Sequence, residues 1–359
     1  MSDTSTDSGS GHEAAGSAPK GLPLWARILV LISAAGLVAL AYWPIPSGPL
    51  VWLQAIVMVP AWIAVAAGLV LGIAGFWPPG LVIIAAGFIA LSSGLVHYPT
   101  VQASRAAPPV ARTPSAAEST DSQDAAPDEL RRFSSLRVVH ANLKTGNTVG
   151  QELIQELSRL QPDVISLHEV DQDQLDIIVR AMDLPFVAGF PRTNPFGWAI
   201  LSRYQFEAIG SLGEGRYPAE AIRIENGPDD VVFVSTHPPP PITTELESHM
   251  RTLFRDMAAE LDLITAGPDG GRVPLVLAGD MNAVPWYRPL YDFVRQTGLR
   301  YARPATGPTA PGTFPAFLPI IPIDHVLARD VAAAATRPLG IPGSDHLALI
   351  ADIWLPPVR

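Results

Sequence analysis

The sequence predicts an α/β protein, a two-sheet α/β sandwich preceded by three transmembrane helices. Three observations predict it. Residues 25–98 carry a single charged side chain, Arg27. From Phe133 onward, short apolar runs first alternate with amphipathic helical stretches and then dominate, the pattern of sheets with helices packed outside them. Most of these apolar runs stop at a polar residue able to do chemistry: Asn142, Glu169, His237, Asp280 and Asp324.

Composition sets the outer bounds. The chain has 359 residues, long enough for more than one folding unit. Only 16% are charged, against about 25% in an average soluble domain, and the deficit is concentrated in residues 25–98. There is no cysteine, which excludes disulfides, a thiolate nucleophile and cysteine-ligated metal. Residues 133–359 hold 26 acidic and 18 basic side chains, a net −8. Such a surface argues against tight, non-specific gripping of long nucleic acid, although a local basic groove stays compatible with it.

Taken in order, residues 1–22 are rich in Ser, Gly, Thr and Ala without apolar period, as in a disordered tail. Three apolar stretches follow, Trp25 to Trp43, Val51 to Trp77 and Gly80 to Tyr98. Each approaches the ~20 residues that cross a bilayer. Trp25, Trp43, Trp52, Trp77 and Tyr98 stand at their ends, as interfacial aromatics do. Residues 23–98 are therefore expected to form a three-helix anchor in the lipid bilayer. The stretches contain no Asp, Glu or Lys, so an ion or proton relay has no residue to carry it. Lys20 and Arg27 flank the first stretch, and Arg105 and Arg112 follow the third. Letting the first helix dominate puts the N-terminus inside. Three crossings then make this a multi-pass protein of the cell membrane with its C-terminal domain outside the cytoplasm. Residues 99–132, mostly Ala, Pro, Ser, Thr and Asp, read as a linker.

The domain at 133–359 begins with a strand, Leu136 to Asn142. A helix over Val149 to Leu160 puts Leu153, Ile154, Leu157 and Leu160 on one face, with Asn147 or Thr148 as its cap. Pro162 to Glu169 is a second strand, Asp173 to Met182 a second helix, and Gly197 to Ser202 a third strand. Ala221 to Ile224 and Val231 to Thr236 form a hairpin around Asn226-Gly227. Thr243 to Ile264 is a long helix with Leu246, Met250, Leu253, Met257, Leu261 and Ile264 at helical spacing. Val273 to Asp280 is a buried strand, Trp286 to Thr297 a helix, and Ile323 to Leu327 and Leu347 to Trp354 the last strands.

The chemistry converges on Gly279-Asp280-Met281-Asn282 and Ser344-Asp345-His346. The first delivers a carboxylate and an amide together at a strand tip. The carboxylate can hold or deprotonate a water, and the amide can donate to an oxygen gaining charge. Taken singly, each segment also reads as an ordinary Asx turn or surface pair. There is no Gly-x-Ser-x-Gly elbow and no P-loop. Carboxylates with amides and few histidines favour Mg²⁺ or Mn²⁺ over zinc.

The ordered set Asn142, Leu167-His168-Glu169, Thr236-His237, Gly279-Asp280-Met281-Asn282, Ile323-Asp324-His325 and Ser344-Asp345-His346 resembles the endonuclease/exonuclease/phosphatase superfamily, with its DNase I-like fold. The apolar stretches, His237-Pro238-Pro239-Pro240-Pro241, Pro285-Trp286 and Gly312-Thr313-Phe314-Pro315 resemble a membrane-anchored bacterial subgroup of it. The resemblance implies roles. Glu169 would be the main metal ligand, and Asn142 would help hold that site and the phosphate. His346 would sit on the phosphate, oriented by Asp324. Asp280 would position or deprotonate the attacking water, and Asn282 would bind a phosphoryl oxygen. His237 would be the second histidine at the phosphate, and Asp345 an auxiliary metal ligand or part of a second metal site. Lys144 departs from the pattern, where relatives carry an acid or amide. Arg216 and Arg223 are both candidates for a phosphate-binding arginine, and His140 and His325 read as structural. The implied activity is a Mg²⁺- or Mn²⁺-dependent phosphoesterase acting on nucleic acid, lipid headgroup or small phosphoester, diester or monoester. The alternative is a decayed, non-catalytic scaffold on the same fold. No protein partner is implied.

Overall fold

The computed structural model describes residues 135–225, 230–267, 270–304 and 311–356, together with residues 28, 32, 84, 100 and 101. The expected tail and anchor therefore lie outside the described residues, apart from three isolated positions. Among the described residues no helix is long and apolar enough to cross a membrane. Within the expected linker, Thr100–Val101 forms a short strand, β1, parallel to Tyr301 and Ala302.

The domain proper runs β2 (Ser135–Asn142), α1 (Gln151–Leu160), β3 (Val164–His168), α2 (Gln172–Ala181), β4 (Phe186–Phe190), β5 (Trp198–Ser202), β6 (Phe206–Ser211), β7 (Ala219–Ile224) and β8 (Val231–Thr236). It continues with α3 (Thr244–Ile264), β9 (Leu275–Asp280), α4 (Arg288–Thr297), β10 (Arg300–Pro304), β11 (Asp324–Arg329), β12 (Ala333–Gly340) and β13 (Leu347–Trp354). The strands are ordered β4-β5-β3-β2-β13-β12 and β10-β11-β9-β8-β7-β6. These are two sheets joined at β10, whose first residues pair with β11 and whose last pair with β12. The predicted two-sheet sandwich is the observed one.

Strand alternation sorts the side chains into three apolar layers. Val139, Ala141, Ile165 and Leu167 face outward and pack under α1 and α2, against Leu153, Leu157 and Ile178. Leu275, Leu277, Val232 and Val234 do the same on the other sheet, under Met250, Leu253, Met257, Leu290 and Phe293 of α3 and α4. Between the sheets lie Leu136, Val138, Val164, Phe233, Val276, Ala278 and Val326. Each fully buried leucine or phenylalanine contributes about 1.5–3 kcal/mol, so the amphipathic faces suffice to lock each helix to its sheet.

The α1 cap differs from the expectation. Gly150 is the N-cap, with no side-chain bond, because the Asn147 amide is spent elsewhere, donating to the carbonyls of Leu143 and Pro342. The α2 start is a full capping box of Asp171 with Gln174. Thr243, expected as the first residue of its helix, is the N-cap of α3, its hydroxyl oxygen accepting from the Leu246 amide.

Two βαβ units gather the polar strand ends. β2 and β3 are parallel across α1, and β8 and β9 are parallel across α3. Their C-terminal ends therefore lie at one edge of the sandwich. β13 and β11 run antiparallel to β2 and β9, so their N-terminal ends reach that same edge.

Candidate active site

At this edge the face between the sheets changes character. Reading every second residue toward it, β2 goes Val138, His140, Asn142 and β3 goes Val164, Ser166, His168. β8 goes Phe233, Ser235, His237 and β9 goes Val276, Ala278, Asp280, while β11 starts at Asp324 before Val326. The inter-sheet core thus ends in a buried polar layer. Asp280 and Asp324 are register partners across β9 and β11.

Asn142 stands at the centre. Its amide nitrogen donates to Glu169 Oε1 at 3.0 Å and to Asp280 Oδ2 at 3.1 Å. Its oxygen accepts from the Lys144 amide at 2.9 Å. Both amide protons and the carbonyl are engaged, so Asn142 is a strut that sets the spacing of two carboxylates. Glu169 leaves β3 with φ of 55°, which turns its carboxylate back over the strand end. The amide and the hydroxyl of Thr145 both donate to Glu169 Oε2 at 2.9 Å. Partial burial opposes ionisation of Glu169, but the Asn142 and Thr145 hydrogen bonds outweigh it and hold the carboxyl below its ordinary range.

Asp280 is buried and takes the Asn282 amide on Oδ1 at 2.9 Å. Its Oδ2 lies 3.6 Å from His237 Nε2 and 3.8 Å from His346 Nε2. Burial first, and the nearby Asp324 second, push its pKa up. Asn282, with φ of 48°, donates its side-chain amide to the Pro238 carbonyl at 3.0 Å. That bond ties the strand tip to the polyproline segment.

Asp324 holds two histidines, His346 through Nδ1 at 2.9 Å and His140 through Nε2 at 3.1 Å. Burial disfavours charge on His346, but Asp324 and then Asp280 override it, and its pKa is pushed up to about 10. The imidazolium is the form present at neutral pH. Asp324 is held ionised against its burial by the same histidines. His237 is the opposite case, since burial dominates and lowers its pKa. It stacks on His168 with centroids 5.0 Å apart. Its Nδ1 has no hydrogen-bond partner among the described residues.

The structure brings Asn142, Glu169, His237, Asp280, Asn282, Asp324 and His346, all expected from the sequence, into one site. Beside this group stand Asp345 and His140. Asp345 is half-exposed and pairs with Lys144, Nζ to Oδ2 3.6 Å. Its described ion-pair partner is thus a lysine, while Glu169 is held by Thr145 and Asn142. Arg223 donates to the Ile264 carbonyl at the end of α3, and Arg216 contacts His249. His140, structural by its sequence context, belongs to the site network through Asp324. His325 does stay structural. It faces the other way, its Nε2 meeting the Ala283 carbonyl at 2.8 Å.

Sequence reasoning also misses Ser235 and gives His168 no role of its own. The Asp280 amide donates to His168 Nδ1 at 3.4 Å, so the ring proton sits on Nε2 and meets Ser235 Oγ at 3.0 Å. Burial keeps this ring neutral. The signal that finds His140, His168 and Ser235 is the period of two. Each lies near a strand end, on or beside the face that carries a strand-end residue already singled out.

A divalent ion needs ionised oxygen donors. Asp280, Asp324 and His346 place one ligand atom each within 4.8 Å of one another, a group that can hold a metal. Here, however, both oxygens of Asp324 already accept from histidines, and His346 carries a proton. Glu169 is the better fit: ionised, fixed by three donors, and only part-buried.

Known proteins share this arrangement of strands. A model of the Endonuclease/Exonuclease/phosphatase family matches residues 139–346. The search of curated sequences gives no match. Among solved structures, an endonuclease/exonuclease/phosphatase from Beutenbergia cavernae is 22% identical, covering 62% of this chain and 72% of that one with a TM-score of 0.50. The human Nocturnin catalytic domain is 20% identical over 62% of this chain and 96% of its own, TM-score 0.47. Sphingomyelinase C from Streptomyces griseocarneus is 20% identical over 61% and 99%, TM-score 0.46.

Proposed function

The chain belongs to the endonuclease/exonuclease/phosphatase family, and from that premise we propose that it is a membrane-anchored, Mg²⁺- or Mn²⁺-dependent phosphoesterase. The observation that carries the proposal is the convergence of Glu169, Asp280 and His346 on one buried polar layer, spaced by Asn142 and Asp324. Glu169 would hold the divalent ion, which when bound neutralises phosphate charge and polarises the ester.

The protein's own groups supply the rest. Asp280 has a raised pKa and two histidines beside it, which suits a carboxylate that orients a water and accepts its proton. His346, held as imidazolium by Asp324, presents Nε2 as a charged donor to a phosphoryl oxygen. Neutral His237 and the remaining N–H of Asn282 are placed to donate to the other oxygens. Such donors are fixed before substrate arrives, since His168, Ser235, His140 and Pro238 hold the groups behind them.

The three apolar stretches of residues 23–98 support a bilayer anchor, and the charge distribution around them supports an extracytoplasmic catalytic domain. A buried network of this kind speaks against the decayed-scaffold reading, because an unused buried charge is costly to keep. The test is hydrolysis of bis(4-nitrophenyl) phosphate and of plasmid DNA by the full chain with Mg²⁺, Mn²⁺ or chelator. Metal-dependent turnover that His346→Gln abolishes is expected. A folded protein with no turnover in any arm would return the scaffold reading to first place.

A further inference from the structure

Between β10 and β11 the sequence carries no charged side chain from Pro304 to Ile323, and from Phe314 to Ile323 no side chain that can hydrogen-bond. Within this stretch residues 313–321 fold back on themselves as a finger. Phe314 and Ile321 exchange backbone bonds, the Phe314 amide donating at 3.1 Å and the Ile321 amide at 2.9 Å. The finger is fastened to the catalytic edge. The Thr313 hydroxyl oxygen accepts from the Asp324 amide at 3.2 Å, and the Thr313 carbonyl from the Leu347 amide at 2.8 Å. The Ala316 amide donates to the Asp345 carbonyl at 2.7 Å, and the Phe314 ring lies 4.9 Å from that of His346. The proposed hydrolysis gives the finger no part.

Its tip is apolar and in water. Phe317 is 87% exposed, Leu318 53% and Ile320 40%. Single exposed apolar residues are ordinary, but three within four positions form a patch. The backbone beneath the patch is largely self-satisfied. Pro315, Pro319 and Pro322 have no N–H, and the Leu318 and Ile320 amides donate to the Pro315 and Leu318 carbonyls at 2.9 and 2.8 Å. A segment that enters hydrocarbon needs its donors paired internally in this way. A protein partner would be met by a polar rim around the apolar centre, and this tip has no polar side chain to supply one. Position favours a bilayer as well. Thr100 of β1 pairs with Tyr301 of β10. It follows Tyr98, the end of the third apolar stretch, by two residues, at most ~7 Å of chain. The same β10 leads into the charge-free stretch.

We propose that Phe317, Leu318 and Ile320 dip into the bilayer surface beside the active site, so that Asp280 and His346 meet phosphoesters of lipid headgroups. The depth is that of the headgroup and acyl boundary, the ~5–10 Å reached by interfacial apolar side chains. This rests on the phosphoesterase reading for the substrate and on the proposed anchor for where the bilayer lies.

The chain has no cysteine, so Phe317→Cys and Leu263→Cys each create a single labelling site. Leu263 is 75% exposed near the C-terminal end of α3, away from the catalytic edge. The full chain, labelled with a polarity-sensitive fluorophore, is reconstituted in vesicles of phosphatidylglycerol and phosphatidylethanolamine, with or without nitroxide-bearing lipid. The label at 317 should shift to the blue and be quenched by the nitroxide, and the label at 263 should do neither. A label at 317 that stays in water, or quenching at 263 instead, would overturn the proposal. A blue shift without quenching would put a second copy of the chain on the tip and overturn it equally. Turnover is the second readout. Hexadecyl 4-nitrophenyl phosphate in the same vesicles is compared with ethyl 4-nitrophenyl phosphate in water. Phe317→Ser and Leu318→Ser should each lower kcat/KM about tenfold on the vesicle-borne ester, the scale of one apolar side chain kept from water. Both should leave the soluble ester unchanged. Equal effects on the two esters would overturn the lipid substrate. If wild type cuts neither ester, the phosphoesterase reading fails, and the fluorescence still decides whether the finger inserts.

Discussion

Asp324 Oδ2 and His346 Nδ1 lie 2.9 Å apart in a position where neither would carry charge alone. Both are buried, and each holds the other ionised. Asp324 opens β11 and His346 precedes β13, so the pair spans the two sheets. A buried ion pair of this sort is a poor source of stability and a good means of fixing one ring in one protonation state.

Replacing Asp324 with Asn should therefore leave the fold intact and cut kcat by about a hundredfold or more, the scale of a lost acid–base or charged-donor contribution. The pKa of His346, followed by its ring NMR signals, should drop, since burial then acts unopposed except for Asp280 and Asp345. A variant with full loss of rate but an unmoved His346 pKa would contradict the orienting role.

Stability should depend on pH through the same pair. His346 titrates near ~6.5 in an unfolded chain and at about 10 in the folded one. Its contribution is complete below pH ~6.5 and is lost as pH rises toward 10, by at most ~1.4 kcal/mol per pH unit. Asp324, with its pKa lowered, acts in reverse, and its contribution goes as pH falls below ~4. His168 and His237, kept neutral by burial, also cost stability once pH drops below ~6.5. Urea midpoints measured from pH 6.5 to 9.5 should fall in wild type and stay flatter in Asp324→Asn. Parallel curves would count against the ion pair.

Glu169→Gln keeps the shape while removing the charge, and leaves one acceptor oxygen, for either the Asn142 donor or the Thr145 donors. Calorimetric Mn²⁺ affinity should weaken at least tenfold. Thr145→Val, which removes one of the donors on Glu169, should weaken it about tenfold, as groups behind a metal ligand do. Full Mn²⁺ affinity in Glu169→Gln would move the ion to the Asp280, Asp324 and His346 group.

Gly279 marks a close approach of β8 and β9. A Cβ there would stand 1.8 Å from the Thr236 carbonyl oxygen and 3.1 Å from the His168 ring. The first contact is with backbone and has no rotamer to relieve it. Gly279→Ala should cost about 1–3 kcal/mol or more by forced shifts, read as a lower urea midpoint. It should also shift Asp280 enough to reduce turnover.

The sandwich, the helix faces and most of the site are legible in the chain before it folds. Apolar periods of two and of 3.6 are local and survive without the fold, and a strand that stops on Glu169, His237 or Asp280 announces itself. The strands β4, β6, β10 and β12 are not legible in this way. β12 is written Ala333-Ala334-Ala335-Thr336-Arg337-Pro338-Leu339-Gly340, a helix-favouring start followed by a proline. It is a strand because β13 pairs with it along its whole length, and tertiary pairing overrides weak local preference. Which polar residues meet is likewise a property of the packed sheets. Local pattern cannot show that Asp280 faces Asp324 across β9 and β11, since that register depends on the antiparallel return of a strand more than 40 residues later. The packing of the sheets brought His140 to Asp324, left Asp345 with Lys144, and set Arg223 against the C-terminal end of α3. Side-chain identity is a local fact, whereas the distance between two charges is set by the packing of everything between them.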